Sequence, residues 1–164
     1  VPQPVIAQVH GTAAAAGCQL VASCDLAFAD DNATFATPGV NIGLFCSTPM
    51  VAVSRKINRK KMMEMLLLGD KIDSRTAVEH GLINRSVPGK LLKETVSQVA
   101  NKIANKSPLT LKIGKKAFYK QLEMPLSEAY EYTSKVMIQN MQARDAEEGI
   151  NAFIEKRLPV WTGK

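Results

Sequence analysis

The chain has 164 residues, a formal net charge of +6, 46% hydrophobic and 22% charged residues, an ordinary globular composition that excludes a disordered tail, a collagen-like repeat and a disulfide scaffold. Folding at this length buries about two-thirds of the extended surface, enough for a core without staples. No run of about 18 uncharged apolar residues occurs, so no membrane-spanning helix is expected. The basic balance fits nucleic acid, an acidic surface or a phosphorylated small molecule and does not choose among them. Cys18, Cys24 and Cys46 are odd in number and lack zinc spacing, so they read as reduced thiols, mostly in the core.

In chain order, residues 4–10 form a short strand carried by Val5-Ile6-Ala7-Gln8-Val9 and stopped at Gly11. The chain opens on Val1, not Met, and reads as entering that strand from within a longer protein, without a signal or transit segment. Small residues over 12–17 then lead into Cys18-Gln19-Leu20-Val21-Ala22. Such a junction either lets two backbones pack closely or leaves room for a ligand at the first helical amides. Residues 25–29 and 33–36 read as two more strands around the turn residues Asp30, Asp31 and Asn32, and Thr37-Pro38-Gly39 breaks the chain again.

From about Met50 the pattern is helical. Residues 60–68 form a compact apolar helix ended by Gly69-Asp70, and Asp73-Ser74 caps a short helix running to His80 and stopped by Gly81. Residues 82–87 read as a strand. Leu92, Val96, Val99 and Ile103 give a one-faced helix, and Pro108 and Pro125 each open another. A last helix carries Glu147 and Glu148 early and Lys156 and Arg157 late, as the helix dipole favours, and ends before Pro159. Short strands and turns lead, and helices dominate the rest. So few strands do not complete a sheet, so further strands are expected upstream.

Residues 5–46 carry the chemistry. A strand, a small-residue turn and a helix present free amides that bind negative charge, or simply pack tightly through alanines; spacing alone leaves both open. The residues themselves resemble a known family. Val5-Ile6-Ala7-Gln8-Val9-His10-Gly11-Thr12-Ala13-Ala14-Ala15-Ala16-Gly17-Cys18-Gln19-Leu20, followed by Ser23-Cys24-Asp25-Leu26, is the first of four matching stretches. The others are Phe35-Ala36-Thr37-Pro38-Gly39-Val40-Asn41-Ile42-Gly43-Leu44, Leu67-Leu68-Gly69-Asp70 with Ala77 and His80-Gly81-Leu82, and Glu148-Gly149-Ile150 with Ala152-Phe153-Ile154-Glu155-Lys156-Arg157. In this order they strongly resemble the signature of the enoyl-CoA hydratase/isomerase (crotonase) superfamily.

The resemblance implies a crotonase-like α/β fold, ββα turns followed by C-terminal trimerisation helices, with the N-terminal strands missing from this chain. Residues 1–87 then form the C-terminal part of the crotonase core and residues 88–164 a helical oligomerisation region. The expected partner is an acyl-CoA thioester within fatty-acid metabolism, with coenzyme A entering as part of the substrate, no separate cofactor and no metal. The expected assembly is a homotrimer or hexamer, in the mitochondrial matrix, or in the cytoplasm if the source is bacterial.

By position in the family signature, Ala16 supplies one oxyanion amide, and the second comes from a loop upstream of this chain. The family's two catalytic glutamates fall at Gln19 and Gly39. Gly17, Pro38, Leu44, Phe45 and Cys46 fall at substrate-lining positions. Lys156 falls where the CoA phosphates are reached, though a lysine there also serves a helix C-terminus. Ala15 and Ala16 replace signature glycines, which narrows the turn.

The departures matter chemically. A glutamine amide does not accept a proton at accessible pH, and glycine has no side chain. Each positioned acid–base group contributes about 10²–10⁴-fold, so the expectation is a thioester-binding member with weak or absent hydratase activity. An active CoA-thioester lyase or isomerase using other groups, Cys46 with bound water among them, is the first alternative; no His–Asp partnership for Cys46 is visible. An RNA-binding or interaction protein is the second, through Lys112, Lys115, Lys116 and Lys120 on one helical face opposite Leu111 and Phe118, or through Arg55, Lys56, Arg59, Lys60 and Lys61. No aromatic interleaving accompanies these lysines, so RNA is not the expected partner. His10 and His80 read as packing or hydrogen-bonding residues.

Overall fold

The computed structural model describes residues 1–164. They form two compact units, one of Val5–Ala100 and one of Val1–Pro4 with Asn101–Lys164.

In the first unit the chain winds between two three-stranded sheets. Strand β1 (Ile6–Val9) belongs to a sheet of order β1-β3-β6, and β2 (Thr12–Ala14) to one of order β2-β4-β5. Between them the chain bends at Gly11, whose φ of 81° favours glycine, and the Gly11 carbonyl accepts the Thr34 amide at 3.0 Å. After helix α1 (Ala16–Ser23) the pattern repeats: β3 (Leu26–Asp30) lies parallel beside β1, and β4 (Thr34–Ala36) parallel beside β2. The second winding is thus laid against the first, in register from Ile6↔Leu26 to Val9↔Ala29 and from Thr12↔Thr34 to Ala14↔Ala36. Strand β2 was not expected. Its three residues are strand only because β4 supplies hydrogen-bond partners, and sheet pairing of this kind leaves little trace in local propensity.

A 3₁₀ turn (Pro38–Ile42) leads to α2 (Ser47–Val53) and α3 (Arg59–Leu68). Asn58 caps α3, accepting the Lys61 amide at 2.9 Å, and His80 Nδ1 lies 2.7 Å from Asn58 Nδ2. Strand β5 (Ile72–Asp73) pairs antiparallel with β4, and α4 (Ser74–Glu79) follows with Asp73 as its cap, 2.8 Å from the Thr76 amide. Strand β6 (Arg85–Val87) is shorter than the expected 82–87. Leu82 and Ile83 are instead turned under α4, their amides on the Ala77 carbonyl and their side chains buried. His10, expected to pack or hydrogen-bond, is exposed.

The core of this unit joins Cys18, Val21 and Ala22 of α1 to Phe35, Val53, Met62, Met65, Leu66 and Ile72. Ser74 is 1% exposed, and its hydroxyl lies 2.6 Å from the Asp30 carbonyl and 2.9 Å from the Ala33 carbonyl, holding the β3–β4 turn.

Helix α5 (Gly89–Ala104) buries Leu92. The second unit contains α6 (Pro108–Gln121), α7 (Leu126–Met141) and α8 (Arg144–Ile154). On α6, Ala117 is the buried residue, and Phe118 is 53% exposed. Helix α8 stops at Ile154, so Lys156 and Arg157 lie past its last turn rather than within it. Lys156 takes a left-handed φ of 55°, and the amides of Lys156 and Arg157 bond back to Phe153 and Ala152 at 3.3 and 3.0 Å. This closes the helix by backbone bonds rather than by charge.

The C-terminal tail is then tied down by two carboxylates. Asp145, 2% exposed, accepts the Ser107 hydroxyl at 2.6 Å and the Thr162 amide at 2.8 Å. Glu148 takes the Arg157 guanidinium on both oxygens, at 2.6 and 2.9 Å, and the Val160 amide at 2.7 Å. Trp161 donates to the Asn105 carbonyl at 2.8 Å.

This packing has two measurable outcomes. Phe35→Ala removes a wholly buried ring and costs about 3–5 kcal/mol in urea unfolding. The bonds from Arg157, and next from Val160, bring the Glu148 carboxyl from the usual 4.5 down to about 2, and the Ser107 hydroxyl above all lowers that of Asp145. Both acids are stronger in the folded state, so their contribution is complete above the ordinary carboxylate range and is lost as pH falls below it, for Glu148 toward about 2. Trp161, the single tryptophan, reports this as an emission change on acid titration, and Glu148→Gln flattens the change.

Candidate functional site

Three elements of the first unit meet around the start of α1. Ala15 precedes the helix with φ 47° and ψ −115°, a combination costly for a residue with a Cβ. It is held there from both sides: its amide donates to the Ala36 carbonyl at 3.0 Å, and its carbonyl accepts the Gln19 amide at 3.0 Å. The amides of Ala16 and Gly17, at the exposed first turn, find no partner within the chain. Unpaired amides at the positive end of a helix suit a carbonyl oxygen that gains negative charge.

Gln19 lies three residues after Ala16, on the same side of α1. It is half-buried, and its side-chain amide makes no hydrogen bond within the chain. Pro38 opens the 3₁₀ turn and Gly39 is buried behind it. The Gly39 amide donates to Cys46 Sγ at 3.3 Å, and the Leu44 amide donates to the Gly39 carbonyl at 2.9 Å. Leu44 and Phe45 are exposed, whereas Cys46 is 8% exposed at the start of α2. Cys18, on the inner side of α1, has its thiol pushed up to about 11 by burial first and by Cys46 second, so it stays protonated at neutral pH.

Ala16, Gly17 and Gln19 are therefore gathered on α1, and Pro38, Gly39 and Cys46 where the 3₁₀ turn meets α2. Helix α1, the 3₁₀ turn and α2 contain no Asp or Glu. Thr37 carries no signal in the sequence that singles it out, yet it is wholly buried and its Oγ1 has no hydrogen-bond partner. Lys156 lies in the second unit, exposed, on its left-handed backbone. Two lysines of α6 are engaged within that unit, Lys115 with the Gln3 carbonyl at 2.8 Å and Lys120 over the Tyr132 ring at 4.5 Å. No group of three or more His, Cys, Asp or Glu side chains is placed to hold a metal ion, and no helix is long and apolar enough to cross a membrane.

The sequence profile of the family Enoyl-CoA hydratase/isomerase matches residues 1–164. The chain belongs to the enoyl-CoA hydratase/isomerase family. It is 53% identical over 161 residues to human enoyl-CoA hydratase domain-containing protein 3, mitochondrial, covering 98% of this chain and 53% of that protein. The rat protein of the same name is 52% identical, with 98% and 54% covered. The crystal structure of the human protein superposes with a TM-score of 0.96 over 98% of this chain and 63% of that one. An enoyl-CoA hydratase structure from Mycobacterium smegmatis, 48% identical, also gives 0.96, over 98% and 62%. The fold is thus the crotonase-like α/β fold expected, and the chain spans about half the length of the curated relatives it matches.

Within this family fold the Ala15 turn is a measurable cost. Ala15→Gly removes a Cβ from a conformation that glycine adopts freely. The relief, about 1–3 kcal/mol, exceeds the added chain entropy of about 0.4–1 kcal/mol. Denaturant unfolding is expected to show a net gain of about 1 kcal/mol.

Proposed function

We propose that the protein to which this chain belongs binds an acyl-CoA thioester, enoyl-CoA included, and hydrates it weakly or not at all. The observation that carries this is the pairing of unpartnered amides at Ala16 and Gly17 with three surrounding elements free of carboxylates. The Ala16 amide holds the thioester carbonyl. Gln19 offers a hydrogen bond to a water or to the ligand but no base, and Gly39 offers no side chain. Gly17, Pro38, Leu44, Phe45 and Cys46 line the acyl end. Lys156 is the candidate contact for the CoA phosphates by its place in the family signature.

Assembly as a homotrimer or hexamer is part of the same reading. Leu126, Tyr130, Met137 and Met141 are all more than 60% exposed and recur along one side of α7, a stripe suited to burial against another subunit. The mitochondrial names of the relatives support mitochondrial residence. The RNA-binding reading loses ground because Lys115 and Lys120 are already engaged.

The test uses the full-length protein with crotonyl-CoA and a longer enoyl-CoA. Calorimetry is expected to show saturable binding. Hydration, followed by loss of enoyl absorbance, is expected about 10⁴-fold or more below a family member that has both glutamates. Hydration within tenfold of such an enzyme contradicts the proposal, as does the absence of binding.

A further inference from the structure

The two positions that lack a carboxylate are not equivalent. Gln19 differs from glutamate by one terminal group, is half-buried and has an unpartnered side chain. Gly39 is different: the space a side chain needs there is already filled. A Cβ at Gly39 stands 2.8 Å from the Leu44 carbonyl oxygen, 3.0 Å from Cys46 Sγ and 3.3 Å from the Cys46 amide nitrogen. At Gly17 the nearest atom to such a Cβ is Ala13 Cβ at 4.0 Å, an ordinary contact.

Two of the three close atoms at Gly39 are backbone, and that backbone is pinned. Leu44 donates to the Gly39 carbonyl at 2.9 Å, Gly43 to Val40 at 3.3 Å, and the Cys46 carbonyl accepts the Met50 amide at 3.0 Å. The third atom, Cys46 Sγ, is buried and receives the Gly39 amide. The obstacle is space rather than backbone strain, because Gly39 does not take a positive φ.

We propose that residues 43–47, with Cys46 as the positioning residue, have taken over the place of the side chain at 39. Gly39 and Cys46 form one steric unit. Point reversion to a carboxylate at 39 then fails, while reversion at 19 is accommodated. Cys46 acts by occupying space and by accepting the Gly39 amide, not as a nucleophile. The proposal rests on the thioester-binding reading only for what the site holds; the packing claim stands independently of it.

The experiment is a double-mutant cycle in the full-length protein, read by thermal unfolding and by crotonyl-CoA hydration. Gln19→Glu is expected to melt within about 2 °C of the native chain, as an isosteric change at a half-buried side chain with no hydrogen bond to lose does. Gly39→Ala, a single added methyl, is expected to lower Tm by at least about 3 °C. In a Cys46→Ala background the same Gly39→Ala change costs clearly less, because Sγ is gone, yet still something, because the Leu44 carbonyl stays. Gln19→Glu combined with Gly39→Glu gains no hydration. A Gly39→Ala variant with native Tm, a cost unchanged by Cys46→Ala, or a hundredfold gain in hydration from the double glutamate variant overturns the proposal. If the native protein binds no acyl-CoA, the functional reading fails while the Tm cycle still decides the packing claim.

Discussion

One backbone hydrogen bond organises the site: the Ala15 amide on the Ala36 carbonyl. It joins the entry of α1 to the end of β4, and so fixes the helix start relative to the segment that runs on through Pro38 and Gly39. It also holds Ala15 in a conformation its Cβ resists. The parallel pairing of β2 with β4 keeps that contact in register, since Ala14 and Ala36 are partners. The downstream chain inherits this geometry: the next amides, Ala16 and Gly17, are left without acceptors, and the 3₁₀ turn carries Gly39 to the loop that ends at Cys46.

The positions around this junction have a mixed character. Amides that suit a developing negative charge remain, because they belong to the backbone and survive any side-chain change. Gln19 has the shape of a glutamate without its basicity, and a Cβ at Gly39 would stand 2.8 Å from the Leu44 carbonyl oxygen. The Gln19 side chain is half-buried and unpartnered, whereas Gly39 is packed against Leu44 and Cys46. The second unit is organised differently, by carboxylates that gather a tail: Asp145 and Glu148 draw in Thr162, Gly163, Val160 and Arg157, and Trp161 packs 3.2 Å from where a Cβ on Gly149 would lie.

Much of this was legible in the sequence because local signals agreed. Asp73 is a cap residue with the acceptor geometry that caps need, Gly69 stops α3 in the left-handed conformation, and the apolar spacing of α5 survives intact. The signature around Ala16, Gln19 and Gly39 identified the family directly. The failures share a cause, which is dependence on backbone and packing partners that residue type alone does not specify. Strand β2 exists through β4, Leu82 and Ile83 are drawn under α4, and Lys156 leaves the helix through backbone bonds rather than ending it by charge. The buried, unpartnered Thr37 hydroxyl and the filled space at Gly39 depend on atoms many residues away or on a neighbouring loop, and no pattern of residue types encodes them.

The central claim is that a thioester carbonyl docks on the free amide at Ala16. The most direct measurement compares binding of an acyl-CoA with its thioether analogue, identical except that the carbonyl is a methylene, to the full-length protein by calorimetry. Docking predicts that the thioether binds about tenfold more weakly, the loss of roughly one good hydrogen bond. Equal affinity for the two ligands would contradict it.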